Sequence, residues 1–550
     1  MIKKAELRYI LLIFLFTLVV YLPSLNGFFQ NDEWAAFARF FVDDQSLSKI
    51  VKRAFVDRGH FVPLYEISYR LLIKAFGLQY AYYAAVSIAL HLVVVFLVFV
   101  FSKKIFKGNT FLSYAVTILF AVNAAGHQAT TWPLIDINTH VAVIFGLLSI
   151  LAVLERYTAL SLLLFIISLL FKEITLGFFV LLPIFVFTSR LSEDLRRKIT
   201  TSLLFFSAGV LYLAFRLINY LSPRDGVYAI VTTSSSKYDI LKNLFGFPIK
   251  AIYETIFPPR LLLIISHRVS VLLPESLTGS VGTTAFDIFN ERISLPFVGV
   301  LIVSVLLLVF IKNKKKNLSS TVFLVGLSFV VLNSFVYALS PERPDPIPVI
   351  DSRNLYFPAI GSSLMLVALF SLVFSKNKKM LILFVAAFVS LNVFWLHREI
   401  SFLVSVAQVR KTILTQIKEE NQRLPDKVIF YSESDKSYYG MPEAEHIMPF
   451  QTNFGLNLFT WYAPTENFPS GFIDDNYKFF LTSLTEEGYF ENESRGFGYF
   501  RNFVSLEQTV WDNHLSVDSV IAYRFDSRTG LLENISEEIR QKLGDLTNSY

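Results

Sequence analysis

Apolar residues in this chain come in long, nearly unbroken runs. They fall at about 8–24, 81–102, 111–125, 138–154, 158–171, 174–188, 200–220, 295–311, 318–338, 356–374 and 380–397. About 20 apolar residues are needed to cross bilayer hydrocarbon as a helix. Several runs are shorter than that, and those between 138 and 188 follow one another most closely. The pattern predicts an α-helical polytopic membrane protein with about 11 transmembrane helices. The first run lacks a small-residue cleavage site and is followed by many others, so it reads as a retained helix.

Two stretches between the runs mix apolar and polar positions. Within 25–80, the spacing at 46–56 and 61–76 predicts helices lying along the membrane interface. Segment 221–294 is similar and is broken by Pro258, Pro259 and Pro274. From about 415 the pattern changes again. Val428–Tyr431 and Val517–Phe525 read as strands and 533–543 as a short helix, with Gly, Asn and Asp turn signals through 435–530. This gives a transmembrane domain over 1–400 and a small soluble α+β domain over 415–550. No internal repeat is visible.

Composition agrees. The 550 residues are 53% hydrophobic and 16% aromatic, with 56 Phe and only 17% charged, against about 25% charged in a soluble domain. The absence of Cys excludes disulfides, a thiolate nucleophile and Cys-ligated metals. Charge is unevenly spread. Residues 419–550 hold 10 Lys+Arg against 22 Asp+Glu, a net −12, while the remainder carries a net +18. The basic residues sit in short turns: Lys3, Lys4 and Arg8; Lys103, Lys104 and Lys107; Arg156; Arg190–Lys198; Lys312–Lys316; Lys376–Lys379. With the runs counted as above, all these turns share one side, which the positive-inside rule makes cytoplasmic. The expectation is a multi-pass plasma-membrane protein with its N-terminus cytoplasmic and its C-terminal domain extracytoplasmic. The basic excess forms no stripe that would suit nucleic acid.

The chemistry-bearing residues then collect on the outer side. Asp32 and Glu33 follow the first run within a dozen residues. One such carboxylate suits a general base toward an acceptor hydroxyl. Neighbours in an extended loop point opposite ways, and Asp32 is favoured. Arg58 and His60 suit contacts to an acceptor or a phosphate. In His127–His140, His127, Trp132 and Asp136 suit hydrogen bonding to a sugar. Asp136 and His140, four apart, would share a helical face, and with His127 and Asp32 they offer oxygen and nitrogen ligands for a divalent metal. No HExxH-like spacing supports that metal, and no cofactor is expected. Lys172 and Glu173 form a charged pair between two apolar runs, a costly placement that points to function; Lys172 suits an anionic phosphate, the alternative being a mutual ion pair. Arg353 offers fixed, permanently charged donors for phosphate oxygens, or else snorkels to headgroups. No P-loop or GxGxxG element is present.

Taken in order, Asn31-Asp32-Glu33, His60–Leu92, Trp132–Asp136, Phe171-Lys172-Glu173 with Pro183, and Arg353-Asn354-Leu355-Tyr356-Phe357-Pro358-Ala359-Ile360-Gly361 resemble the polytopic GT-C glycosyltransferases. The likeness is to the protein O-mannosyltransferase-like group and its bacterial relatives, and it covers roughly 1–400. The resemblance implies an inverting hexosyltransferase that uses a polyprenyl-phosphate sugar donor on the external face, with Asp32 as base. Lys172, Arg353 and Tyr356 would then hold the donor phosphate. The acceptor, whether lipid, glycan or protein, stays open, because the tail shows no tetratricopeptide pattern. Two rival readings remain. One is a transporter or flippase of lipid-linked sugars, which would more commonly show repeats and midplane charges. The other is a non-enzymatic membrane protein whose tail binds a partner.

Overall fold

The computed structural model describes residues 4–42, 48, 51, 61–189, 194–221, 237–270, 294–313, 318–338, 352–375, 377–435, 448–450, 454–466, 468–469, 472 and 487–547. The chain divides into two compact units. One comprises 1–25, 53–68 and 82–401; the other comprises 26–52, 69–81 and 402–550.

The first unit is built of helices. Among the described residues it contains α1 (Lys4–Tyr21), most of α4 (Tyr80–Ile105), α5 (Thr110–Ala121), α6 (Gln128–Thr131), α7 (Pro133–Leu154), α8 (Thr158–Phe171), α9 (Phe178–Ser189), α10 (Leu195–Leu221), α11 (Lys237–Ile256), α12 (Pro259–Ser270), α13 (Ser294–Asn313), α14 (Leu318–Ala338), α15 (Ser352–Leu355) and α16 (Pro358–Val373). The apolar part of α17 (Lys378–Glu420) completes it. Each apolar run of the sequence forms a helix. Among the described residues, seven helices are long and apolar enough to cross a membrane. The apolar helices Thr110–Ala121, Thr158–Phe171, Glu173–Thr188 and Pro358–Val373 are shorter. In segment 221–294, Pro258 separates α11 from α12 and Pro259 opens α12, where its missing N–H costs nothing; Pro274 lies outside the described residues.

Small residues let these helices approach where the hydrophobic effect between lipid-soluble surfaces is weak. Ser149 of α7 and Ser161 of α8 each donate to the other's carbonyl oxygen at 2.8 Å. Ser168 donates to the Ala142 carbonyl at 2.6 Å. α14 and α16 cross at Gly326 and Gly361, where a Cβ on either glycine would lie 2.6 Å from the other's carbonyl oxygen.

The second unit centres on a five-stranded sheet of order β2-β3-β1-β4-β5. Its strands are β1 (Lys427–Ser434), β2 (Gly488–Asn492), β3 (Arg495–Phe500), β4 (Val520–Asp526) and β5 (Leu531–Asn534). β1 runs parallel to β3 and to β4, and antiparallel strands β2 and β5 close the edges. Alternate residues of β1 face opposite ways, and both faces are covered. Ile429 and Tyr431 join Leu506 and Val510 of α19 (Phe503–Asp512) and Ile539 and Leu543 of α20 (Ser536–Thr547). On the other face Phe430 and Phe497 meet Tyr462 and Phe459 of α18 (Phe454–Tyr462). The tail thus carries a small mixed sheet with helices on both faces.

The division adds two features to the sequence reading. The division near 400 falls inside one uninterrupted helix, α17, between Ser401 and Phe402. The second unit also takes in 26–52 and 69–81, which include α2 (Asp32–Val42) and part of α3 (Pro63–Phe76). α3 matches the helix expected at 61–76; most of 46–56 lies outside the described residues.

Candidate functional site

Asp32 and Glu33 do not sit in an extended loop; they open α2. Asn31 precedes them with φ 45°, a left-handed conformation that Asn tolerates better than most residues. Neighbouring residues on a helix are separated by about 100°, so the two carboxylates still diverge. Asp32 is exposed and Glu33 is fully buried. Glu33 Oε2 accepts the Gln30 N–H at 2.9 Å, so this carboxylate turns back to satisfy an N–H just before the helix. Glu33 and the buried Arg410 both lie within electrostatic reach of the Tyr80 hydroxyl. Of the pair, only Asp32 presents its side chain to solvent.

In the first unit, the residues singled out from the sequence gather at the start of α7. Trp132 ends α6 and caps α7, and Pro133 takes the first helical position. Asp136 is completely buried in the first turn of α7. Its Oδ1 accepts from Lys172 Nζ at 2.7 Å and from Thr139 Oγ1 at 2.9 Å. Oδ2 is buried with no hydrogen-bond partner among the described residues. Lys172 also donates to Thr139 Oγ1 at 2.6 Å and keeps 18% of its side chain exposed. One turn away, the Arg353 guanidinium lies 4.6 Å from the centre of the Trp132 ring, a cation–π contact. Two cations are therefore fixed to a single helical turn, one by a buried carboxylate and one by an indole.

Lys172 and Glu173 do not pair with each other. The backbone at Lys172 is extended, with φ −163° and ψ 136°, between α8 and a short 3₁₀ turn. This separates the side chains, and Glu173 Oε1 instead accepts from Arg216 at 2.6 Å. Tyr356 also departs from expectation. Its hydroxyl is 2.8 Å from His91 Nδ1 and its ring lies 4.9 Å from that of His140. It is buried, so its polar atom serves an internal network and does not join the two cations. Gly126 makes room for this arrangement, since a Cβ there would lie 2.7 Å from Tyr356 Cα. Gly126→Val should destabilise the protein by about 1–3 kcal/mol through overpacking, seen as a lower unfolding temperature in detergent.

His127 is buried and its Nδ1 lies 3.1 Å from Thr131 Oγ1. Burial, with a smaller contribution from Arg260, pushes its pKa down to about 3. The ring is neutral at physiological pH and supplies no positive charge to an anion. Asp136 and His140 do share a face, but His140 Nδ1 meets the Asp136 carbonyl oxygen at 3.3 Å, not the carboxylate, and Nε2 meets Thr130 at 3.2 Å. Among the described residues no three His, Asp or Glu side chains are grouped to hold a metal. Arg58 and His60 lie outside the described residues.

Thr139 and Arg216 enter the picture only with the structure, as do the partners of His91, which lies within the stretch His60–Leu92. The one sequence signal for His91 was an imidazole inside an apolar run. Comparison with protein-family models and with curated proteins finds no match for this chain.

Proposed function

We propose that the protein is a membrane glycosyltransferase of the GT-C kind that the sequence resembles. In this reading it moves a sugar from a polyprenyl-phosphate donor to an acceptor hydroxyl on the extracytoplasmic face. The observation that carries the reading is the pair of cations at the first turn of α7. Lys172 has three N–H donors, of which Asp136 and Thr139 take two. Arg353 is held by stacking on Trp132. Such a fixed, partly exposed cationic pair suits a phosphate whose charge grows as it leaves.

The reaction is a single displacement with inversion. The acceptor oxygen attacks the anomeric carbon and forms the new glycosidic bond. The bond from that carbon to the phosphate oxygen breaks, and the lipid phosphate leaves with the electron pair. The resemblance gives the proton of the acceptor hydroxyl to Asp32, the exposed carboxylate of the pair. Lys172 and Arg353 bind the departing phosphate. Asp136 acts through Lys172 by fixing its position, and Trp132 acts in the same way on Arg353.

This reading has all eleven apolar helices crossing the membrane with basic turns inside. A test of that orientation needs exposed positions. Ser432 is unsuitable because β1 buries it, whereas Thr529 and Ser375 are exposed. Thr529→Cys in this Cys-free chain should react with a membrane-impermeant maleimide in intact cells, and Ser375→Cys should not. The reverse labelling would remove the extracytoplasmic site. The function itself is tested by sugar transfer from a set of polyprenyl-phosphate donors by the purified full chain in liposomes. No transfer with any donor, together with movement of the labelled lipid between leaflets, would favour a flippase.

A further inference from the structure

The helix that carries Asp32 is embraced by residues from the end of the chain. Phe28 and Trp34 each lie edge-on to Trp461 of α18, with ring centres 5.6 Å and 6.4 Å apart. Trp34 also meets Phe29 and Phe37 edge-on or tilted, at 5.8 Å and 6.3 Å. The indole N–H groups of Trp34 and Trp461 are both buried with no hydrogen-bond acceptor among the described residues. In edge-to-face packing such N–H edges are turned toward neighbouring rings. Trp461 is itself anchored: Lys418 donates to its carbonyl oxygen at 2.9 Å and lies 5.7 Å from the centre of its ring. On α17, Gln408 Nε2 donates to the Asn26 carbonyl at 2.5 Å. Beneath the clasp, Glu33 and Arg410 are both buried around Tyr80.

We propose that the C-terminal segment serves to position the helix bearing Asp32, with Trp461 as the principal positioning residue. Each contact is individually modest. Together they fix α2 at both its aromatic face and its leading backbone. Rings that interlock edge-to-face tolerate little rotation, so the direction of the Asp32 side chain is set from the far end of the sequence. The α+β fold then needs no acceptor site of its own to matter for the reaction. Its catalytic importance rests on the transferase reading; its mechanical role does not.

The chain has no Cys, so single reporters can be introduced in the full-length protein. Ala38 is one turn beyond Trp34 on the same side of α2 and is 2% exposed. Ser432 lies in β1 and is 3% exposed. Ala38→Cys should react slowly with a maleimide in detergent. Adding Trp461→Ala should speed that reaction by about tenfold or more, as local opening becomes cheaper, while Ser432→Cys stays slow. Trp461→Phe should restore most of the protection. If Trp461→Ala leaves Ala38→Cys as slow as before, the clasp does not hold α2 and the inference fails. If both reporters accelerate together, Trp461 holds the sheet and not the helix, and the inference fails as well. Labelling decides the matter even if the wild type transfers no sugar. Where transfer is measurable, Trp461→Ala should lower kcat and leave the donor KM near its parent value.

Discussion

Asp32→Asn is expected to lower sugar transfer by about 10²–10⁴, the usual worth of general-base assistance. The substitution keeps the shape of the side chain and removes its ability to take the acceptor proton. Asp32 is exposed at the start of α2, so stability should change little, and the variant should insert and purify like the parent. The neighbouring carboxylate provides the contrast. Glu33 is buried and accepts the Gln30 N–H, so Glu33→Gln should act first on folding and on the orientation of α2. Normal expression with transfer reduced in Asp32→Asn, against reduced yield in Glu33→Gln, would separate the two roles. Near-normal transfer by Asp32→Asn would remove that residue from the chemistry.

The largest expected effect on stability belongs to Lys172. Lys172→Met leaves the Asp136 carboxylate buried with its counter-charge gone, a situation that typically costs about 3–5 kcal/mol. The cost should show as early unfolding in a thermal scan, before any question of donor binding arises. The double variant Asp136→Leu with Lys172→Met removes both charges and should recover much of the loss, because a matched apolar pair needs no desolvation. Its stability then permits a clean measurement of donor use. Arg353→Met is the companion test. Arg353 stacks on Trp132, so its removal should leave the fold largely intact and raise the donor KM. Equal instability of the single and double Lys172 variants would show that Asp136 is not the partner that matters.

The helices of the first unit were legible because each is written as an apolar run, and length and composition alone identify such runs. β1 and β4 were legible from Val-Ile-Phe-Tyr and Val-Ile-Ala-Tyr, which favour a pleated, half-buried surface. The β2–β3 hairpin was not. Its β3 sequence, Arg-Gly-Phe-Gly-Tyr-Phe, uses glycines that read as turn signals. In the sheet, Tyr489 lies opposite Gly498 and its ring covers both glycines, so that a Cβ at Gly496 would strike the Tyr489 hydroxyl. An aromatic shielding a strand glycine on its neighbour cannot be seen before the register is known. The start of α2 carried its own signal in Asn31-Asp32-Glu33, polar residues suited to a helix entrance, although the stretch reads equally as an acidic loop.

At the candidate site the residue types were readable and the pairings were not. Lys172 and Glu173 are adjacent in sequence, yet each finds its partner elsewhere. Lys172 meets Asp136 only because α7 and α8 form a hairpin whose register Ser149 and Ser161 set. Tyr356 faces the His91 imidazole across a separation that no local pattern could announce. The membership of 26–52 in the second unit was likewise invisible, since nothing in Phe28 or Trp34 names Trp461.

That long-range assembly has a consequence in time. β1 is the first strand of its sheet to be synthesised and also its centre, and the partners of Lys427 and Ile429 are Gly496 and Val520. Pairings of such sequence separation are slow to form. α2 is made earlier still and waits for Trp461, which is synthesised only after every apolar helix. A ribosome that has completed every apolar helix has therefore not yet produced a settled α2, and a chain released early would reach the membrane with the carboxylate of Asp32 present but unaimed.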